Sequence, residues 1–239
     1  MNKIIRKICS DIIEEYKQDG NVLGIMLFGS AARGKFDKHS DIDIYILLKN
    51  KGEFSRVNFT RDGIQVDIIL ETTKEIKSFL EEDAAALKRI TSQMIAGGVI
   101  IFQKGNIFKK IQSIAKNNLR LKTKYKDSEI LMHKYSIDDF LGEVRRDIEK
   151  KDFLAFGLDS HFLMNNIIEL FLKIKKEFLR QPNEMAAVLN KLDRKFYRLI
   201  ESFYKSTSMG KKEKILSELV GYVYKKYSGS LPERWTIKN

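Results

Sequence analysis

Apolar residues recur every three or four positions at the head of the chain, at Ile4, Ile5, Ile8, Ile12, Ile13 and Tyr16, and predict an amphipathic helix that stops near Gly20. Two apolar runs follow, Val22 to Phe28 and Ile42 to Leu48, each with the length and the branched and aromatic content of a buried strand. Phe54 to Thr60 and Ile64 to Leu70 flank Arg61-Asp62-Gly63 and read as a hairpin with Gly63 at the turn. Thr72 with Glu75 three residues on forms a capping box for a helix that, with its successor, runs to Ala96. Gly97-Gly98 then precedes Val99 to Phe102, a short strand that returns to the sheet. This order predicts a small α/β domain of the α+β type, built on a mixed sheet and ending near Lys104.

From Gly105 onward only the helical period remains. Ile107, Phe108, Ile111, Ile114 and Ala115 mark one helix, and Ile130, Leu131, Tyr135 and Ile137 open a second that continues past Val144 and Ile148. Phe162, Ile167, Ile168, Phe171, Leu172 and Ile174 mark a long third, expected to be halted by Pro182. Two shorter helices, Met185 to Leu192 and Lys195 to Phe203, and a last one through Ile215, Leu216, Leu219, Val220, Val223 and Tyr224 complete the pattern. The organisation expected is therefore a domain over 1–104 and an all-helical bundle over 105–239.

Composition bounds this picture. The 239 residues are 43% hydrophobic and 32% charged, as in a globular protein long enough to bury a substantial core. No apolar run is long enough to span a bilayer, and the N-terminal segment leads into its helix without a signal-peptide core. A cytoplasmic protein is expected, with Cys9, the single cysteine, buried in the first helix. No Cys/His cluster suggests zinc.

The candidate chemistry lies between the first two strands, in Gly29-Ser-Ala-Ala-Arg-Gly-Lys-Phe-Asp-Lys-His-Ser-Asp-Ile-Asp43. Alternate residues of a strand share a face, so Asp41 and Asp43 project the same way from roots roughly 6.5–7 Å apart. Two carboxylates that close repel unless a cation lies between them, and an all-oxygen site suits Mg²⁺ with phosphate oxygens completing its shell. Gly29 allows close backbone approach. Ser30 offers a hydroxyl and a main-chain N–H at the start of a short helical turn, where anions bind readily. Alone, a Gly-Ser pair is a common turn and an Asp-x-Asp a common strand entry.

Joined at this spacing, the residues resemble the signature of the polymerase-beta-like nucleotidyltransferase superfamily: Gly-Ser, ten residues, Asp-x-Asp. Ser30 and Arg33 also keep the Ser-x-x-Arg spacing of its antibiotic-modifying and minimal branches. The resemblance implies a third carboxylate on a following strand, and Asp67 lies in the middle of Ile64 to Leu70. It implies that Asp41, Asp43 and Asp67 hold two Mg²⁺ ions, that Gly29, Ser30 and Arg33 bind the phosphates of ATP or another nucleoside triphosphate, and that pyrophosphate leaves. Lys35 and Lys38 read as solvated loop residues.

More loosely, the helical half is similar to the C-terminal domains of kanamycin-type enzymes and to the HEPN bundle that accompanies minimal nucleotidyltransferases. In the former, a carboxylate from this domain deprotonates the acceptor hydroxyl, which makes Asp139 the first candidate for that base and Glu143 the second. Both acids could instead pair with Arg145 and Arg146 on a solvated helix face. In the helical half, neither His133 nor His161 follows an arginine at the four-to-six-residue spacing of toxic HEPN ribonucleases.

The acceptor expected is a hydroxyl of a small molecule such as an aminoglycoside- or lincosamide-like antibiotic. The alternatives are a protein or RNA acceptor, antitoxin-like, or a catalytically silent nucleotide-binding module. Net charge of +12 weighs against cationic antibiotics, although Asp138, Asp139, Glu143 and Asp147 could line a local acidic cleft. The run Lys104 to Lys126 contains Lys109, Lys110, Lys116, Arg120, Lys122 and Lys124 with no acid between, so nucleic acid is a possible but not favoured partner. Kanamycin-type relatives act as dimers, and Phe203, Tyr204, Tyr222, Tyr224 and Tyr227, taken as exposed, are the support for a homodimer here.

Overall fold

A computed structural model describes residues 3–237. Met1 and Asn2, at the head of the segment read as free of a signal-peptide core, lie outside the described residues. The chain divides into two compact units, one ending at Leu121 and the other beginning at Lys122.

The first unit carries α1 (Lys3–Tyr16), β1 (Val22–Phe28), α2 (Gly29–Ala32), β2 (Ile42–Leu48), β3 (Arg56–Arg61), β4 (Ile64–Thr72), α3 (Thr73–Ala85), α4 (Ile90–Ala96), β5 (Val99–Gln103) and α5 (Ile107–Asn118). The five strands form one mixed sheet in the order β3-β4-β2-β1-β5. Only β2 and β4 run parallel; β1 pairs antiparallel with both β2 and β5, and β3 antiparallel with β4. The β3–β4 hairpin turns at Asp62 and Gly63, whose φ values of 51° and 76° are those of a two-residue turn that matches strand twist. The capping box forms as expected, with the Thr72 hydroxyl accepting from the Glu75 N–H and the Glu75 carboxylate accepting from the Thr72 N–H.

Strand alternation sorts the core onto two faces. Ile25, Leu27, Ile42, Ile44, Ile46, Val66 and Ile68 pack with Ile5, Ile8, Cys9 and Ile12 of α1. Met26, Phe28, Tyr45 and Leu47 pack on the other face with Ile76 and Leu80 of α3, Ile95 of α4, and Phe108, Ile111 and Ala115 of α5. Each such fully buried aliphatic or aromatic side chain contributes about 1.5–3 kcal/mol. Gly24 makes room for the ring of Phe108, since a Cβ there would stand 2.5 Å from it.

That packing explains why the first unit extends to Leu121 rather than to the expected boundary near Lys104. Helix α5 closes the second face of the sheet, and its basic residues Lys109, Lys110 and Lys116 lie on the exposed side of the same helix. Arg89, fully buried, donates to the Leu121 carbonyl at 3.1 Å and also to that of Asn118, so the end of α5 is tied to the α3–α4 corner.

The second unit is helical: α6 (Asp127–Lys150), α7 (Phe153–Lys175), α8 (Pro182–Leu192), α9 (Arg194–Lys205) and α10 (Met209–Val223), the last running into a π turn at Tyr224–Ser228. Pro182 does not halt the long α7. That helix ends at Lys175, where Lys176 takes the left-handed φ of 55°, and Pro182 instead opens α8 in the first turn, where its missing N–H costs nothing. The aromatic residues near the C-terminus mostly face inward. Phe203 is buried, the Tyr222 and Tyr227 hydroxyls both donate to Asp193, and the Tyr224 hydroxyl donates to Asp138 at 2.9 Å. Tyr204 alone of the five is largely exposed, so the aromatic argument for a homodimer loses its basis. No described helix is long and apolar enough to cross a membrane.

Candidate active site

Strand register converges the acids. Phe28 at the end of β1 pairs with Asp43 on β2, and Asp43 pairs in turn with Asp67 on the parallel strand β4. In-register neighbours share a face, so Asp43 and Asp67 stand side by side from backbones about 4.8 Å apart. Asp41, two residues before Asp43, keeps the same parity and is exposed, whereas Asp67 is buried. The segment that delivers Asp41 is ordered by Asp37, whose carboxylate accepts from the His39 N–H at 2.8 Å and the Ser40 hydroxyl at 3.1 Å. A depression of about 420 Å³ beside Asp41 is lined by Phe36, Lys38, His39, Ser40, Gly63 and Gln65 among others.

Gly29 is the hinge between β1 and the turn. Its φ of +66° is left-handed, and a Cβ on it would fall 1.8 Å from Asp43 Oδ2, so any side chain there strains the backbone and must also displace the carboxylate. The backbone thereby presses directly against the carboxylate. Ser30 follows, its hydroxyl oxygen buried with no hydrogen-bond partner. A buried hydroxyl without a partner is costly, and one beside a carboxylate cluster has a use for a ligand oxygen. Arg33 is exposed at the end of α2, near enough that its charge acts on Asp43.

The electrostatics are those of crowded acids. The Asp43 carboxyl is pushed up from 3.8 to about 6, first by burial and then by the negative charges of Asp41 and Asp67, with Arg33 and Arg56 opposing. Sequence reasoning missed Arg56. Its Nε donates to Asp67 Oδ1 at 2.8 Å and its Nη2 to Oδ2, a two-pronged ion pair across the hairpin. The signal was present in the turn: with Arg61 opposite Ile64, Asn58 stands opposite Asp67, and Arg56 is the diagonal neighbour on the same face.

Among the described residues no three carboxylate, histidine or cysteine side chains are gathered closely enough to hold an ion. The donor set at Asp41 and Asp43, with the unpartnered Ser30 hydroxyl and the Gly29 cradle, fits a divalent cation whose remaining ligands are phosphate oxygens. Asp67 is engaged elsewhere, by Arg56.

Gly29, Ser30, Arg33, Asp41, Asp43 and Asp67 thus come together in the first unit. Asp139 and Glu143 are carried by α6 of the second. There Asp139 is exposed, Glu143 accepts from Arg146, Asp147 is buried, and Asp138 takes the Tyr224 hydroxyl.

A family model described as polymerase beta, nucleotidyltransferase matches residues 10–107, a span that holds all six residues of the cluster. A protein of Methanocaldococcus jannaschii, named as a candidate protein adenylyltransferase, is 34% identical over 88 residues, covering 30% of this chain and 88% of that protein. The chain belongs to the polymerase-beta-like nucleotidyltransferase superfamily. A nucleotidyltransferase-like protein from Exiguobacterium sibiricum 255-15 is similar in fold, with a TM-score of 0.51 and 12% identity over 92% of this chain and 76% of that one. The superfamily member described here is an enzyme of nucleotidyl transfer, with a mixed-sheet domain followed by a helical region.

Proposed function

We propose that the enzyme transfers AMP from ATP to a hydroxyl of a protein, with release of pyrophosphate. The observation that carries the transfer chemistry is the juxtaposition of Asp43 and Asp67 in register beside Gly29 and the unpartnered Ser30 hydroxyl. The acceptor class rests on the M. jannaschii relative, whose name gives a protein as its substrate.

In this reading Gly29 lets the triphosphate approach the backbone, Ser30 donates its hydroxyl to a phosphate oxygen, and Arg33 supplies a fixed positive charge to the β- and γ-phosphates. Asp41 and Asp43 would hold Mg²⁺, which when bound supplies charge neutralisation for the phosphates and the departing pyrophosphate. Asp139, carried by α6 of the second unit, is given no part in this reading.

A small-molecule acceptor such as an antibiotic is the second reading, favoured by the similarity of the helical half to kanamycin-type enzymes. The cleft it requires for a cationic drug has less free charge than the sequence suggests, since Glu143 is paired with Arg146 and Asp138 with Tyr224. Nucleic acid is not favoured: Lys122 of the basic run is paired with Glu177, and the lysines of α5 read as the solvated side of an amphipathic helix.

The test is incubation with α-³²P-ATP and Mg²⁺ in the presence of a host lysate, of an antibiotic panel, and of RNA. Label on protein bands that is lost in Asp41→Asn is expected. Label on a drug or on RNA, with none on protein, overturns the acceptor. No label with any nucleoside triphosphate overturns the transfer itself.

A further inference from the structure

We infer that Arg56 stands in for a second metal ion at Asp67, so that the site loads a single divalent cation, on Asp41 and Asp43, in place of the two that the superfamily resemblance implies. The inference rests on the metal-dependent transfer proposed above and specifies how its charge is arranged.

Three observations carry it. Both oxygens of Asp67 are engaged by one guanidinium, through Nε at 2.8 Å and through Nη2, in the fork geometry that saturates one edge of a carboxylate. The Asp67 side chain is only 8% exposed while that of Arg56 is 66% exposed, so the carboxylate sits in the sheet with the arginine laid over it as its counter-ion. The root of Arg56 is fixed as well. It lies in the β3 ladder opposite Ile69, diagonal to Asp67, so the strand register and not a wandering surface side chain sets the contact.

The charges lead to the same place. Asp41, Asp43 and Asp67 bring three negative charges, and Asp67 has its partner already in Arg56. What is left for a cation is Asp43, pressed against the Gly29 backbone, together with the exposed Asp41. A cation at those two is drawn in. A further cation at Asp67 must either displace the fork or lie within a few ångström of a guanidinium that never loses its proton, and like charges at that range repel. Arg56 acts through Asp67 and is a positioning residue.

The experiment counts Mn²⁺ bound per chain by electron paramagnetic resonance, in the presence of saturating α,β-methylene-ATP, which cannot be cleaved at the α–β bond. Wild type is expected to bind one nucleotide-dependent Mn²⁺, and Arg56→Gln two, with fold checked by circular dichroism. Arg56→Met serves the same purpose if the glutamine variant does not fold. Two ions in wild type overturn the inference and leave the function standing. One ion in wild type and in the folded variants also overturns it, since Arg56 is then not what limits the count. If wild type shows no nucleotide-dependent Mn²⁺ at all, the proposed function fails, and the inference with it.

Discussion

Asp43→Asn is expected to make the metal-free protein more stable at neutral pH while removing nucleotidyl transfer. In the folded chain the Asp43 carboxyl titrates at about 6 against an ordinary 3.8, because burial and then Asp41 and Asp67 disfavour its charge. Below pH 3.8 the group is protonated folded or unfolded, and no penalty exists. Between 3.8 and about 6 only the folded state keeps the proton, so stability falls as pH rises; above about 6 the full penalty is present. At about 1.4 kcal/mol for each tenfold change the displacement corresponds to about 3 kcal/mol. The side chain is only half-buried, and solvent screening reduces the expected effect to about 1–2 kcal/mol. The sole tryptophan, Trp235, lies in the second unit, so hydrogen exchange at the buried amides of β2 is the suitable probe of the first. In EDTA, the Asn variant should be more protected than wild type by about 1–2 kcal/mol at pH 7.5, and the gap should close toward pH 4. Adding Mg²⁺ should raise protection in wild type more than in the variant. An Asn variant less protected than wild type at pH 7.5, or a gap that does not change with pH, refutes the reasoning.

Three further substitutions probe local geometry. Gly29→Ala adds a left-handed backbone penalty of about 1–2 kcal/mol and drives a methyl into Asp43, so both thermal stability and labelling by α-³²P-ATP should fall. Gly34→Ala, at a φ of +68° with open space around it, should lose stability by the backbone penalty alone and keep labelling; equal loss of activity in both would remove the special place given to Gly29. Asp193→Asn should destabilise the second unit by about 2 kcal/mol in urea, read by Trp235 fluorescence, because the carboxylate caps α9 through the Lys195 and Phe196 N–H groups and also accepts from Tyr222, Tyr227 and Lys226. Burial alone would raise the Asp193 pKa, but those donors outweigh it and hold the carboxyl well below its ordinary range. Its stabilisation is therefore present above pH 3.8 and lost as the pH falls further, and the gap to the Asn variant should narrow in acid.

Periodicity alone determined a good deal of this protein. The alternation of β2 puts Asp41 and Asp43 on one face, the Gly-Ser pair marks where β1 must turn, and the Thr72–Glu75 box marks where α3 begins, since each depends on residues within a few positions of one another. The tertiary structure decided what depends on distant partners. No local pattern says that β4 lies parallel beside β2, yet that pairing brings Asp67 next to Asp43. Apolar spacing shows that α5 is amphipathic but not which surface it covers, and the sheet claims it through Phe108, Ile111 and Ala115, moving the boundary between units to Leu121. Pro182 stops or starts a helix with equal ease, and only the chain's path chose. The pairing of Glu143 with Arg146 was legible because they lie one helical turn apart, whereas Arg56 and Asp138 took partners, Asp67 and Tyr224, that only folding brought within hydrogen-bond reach.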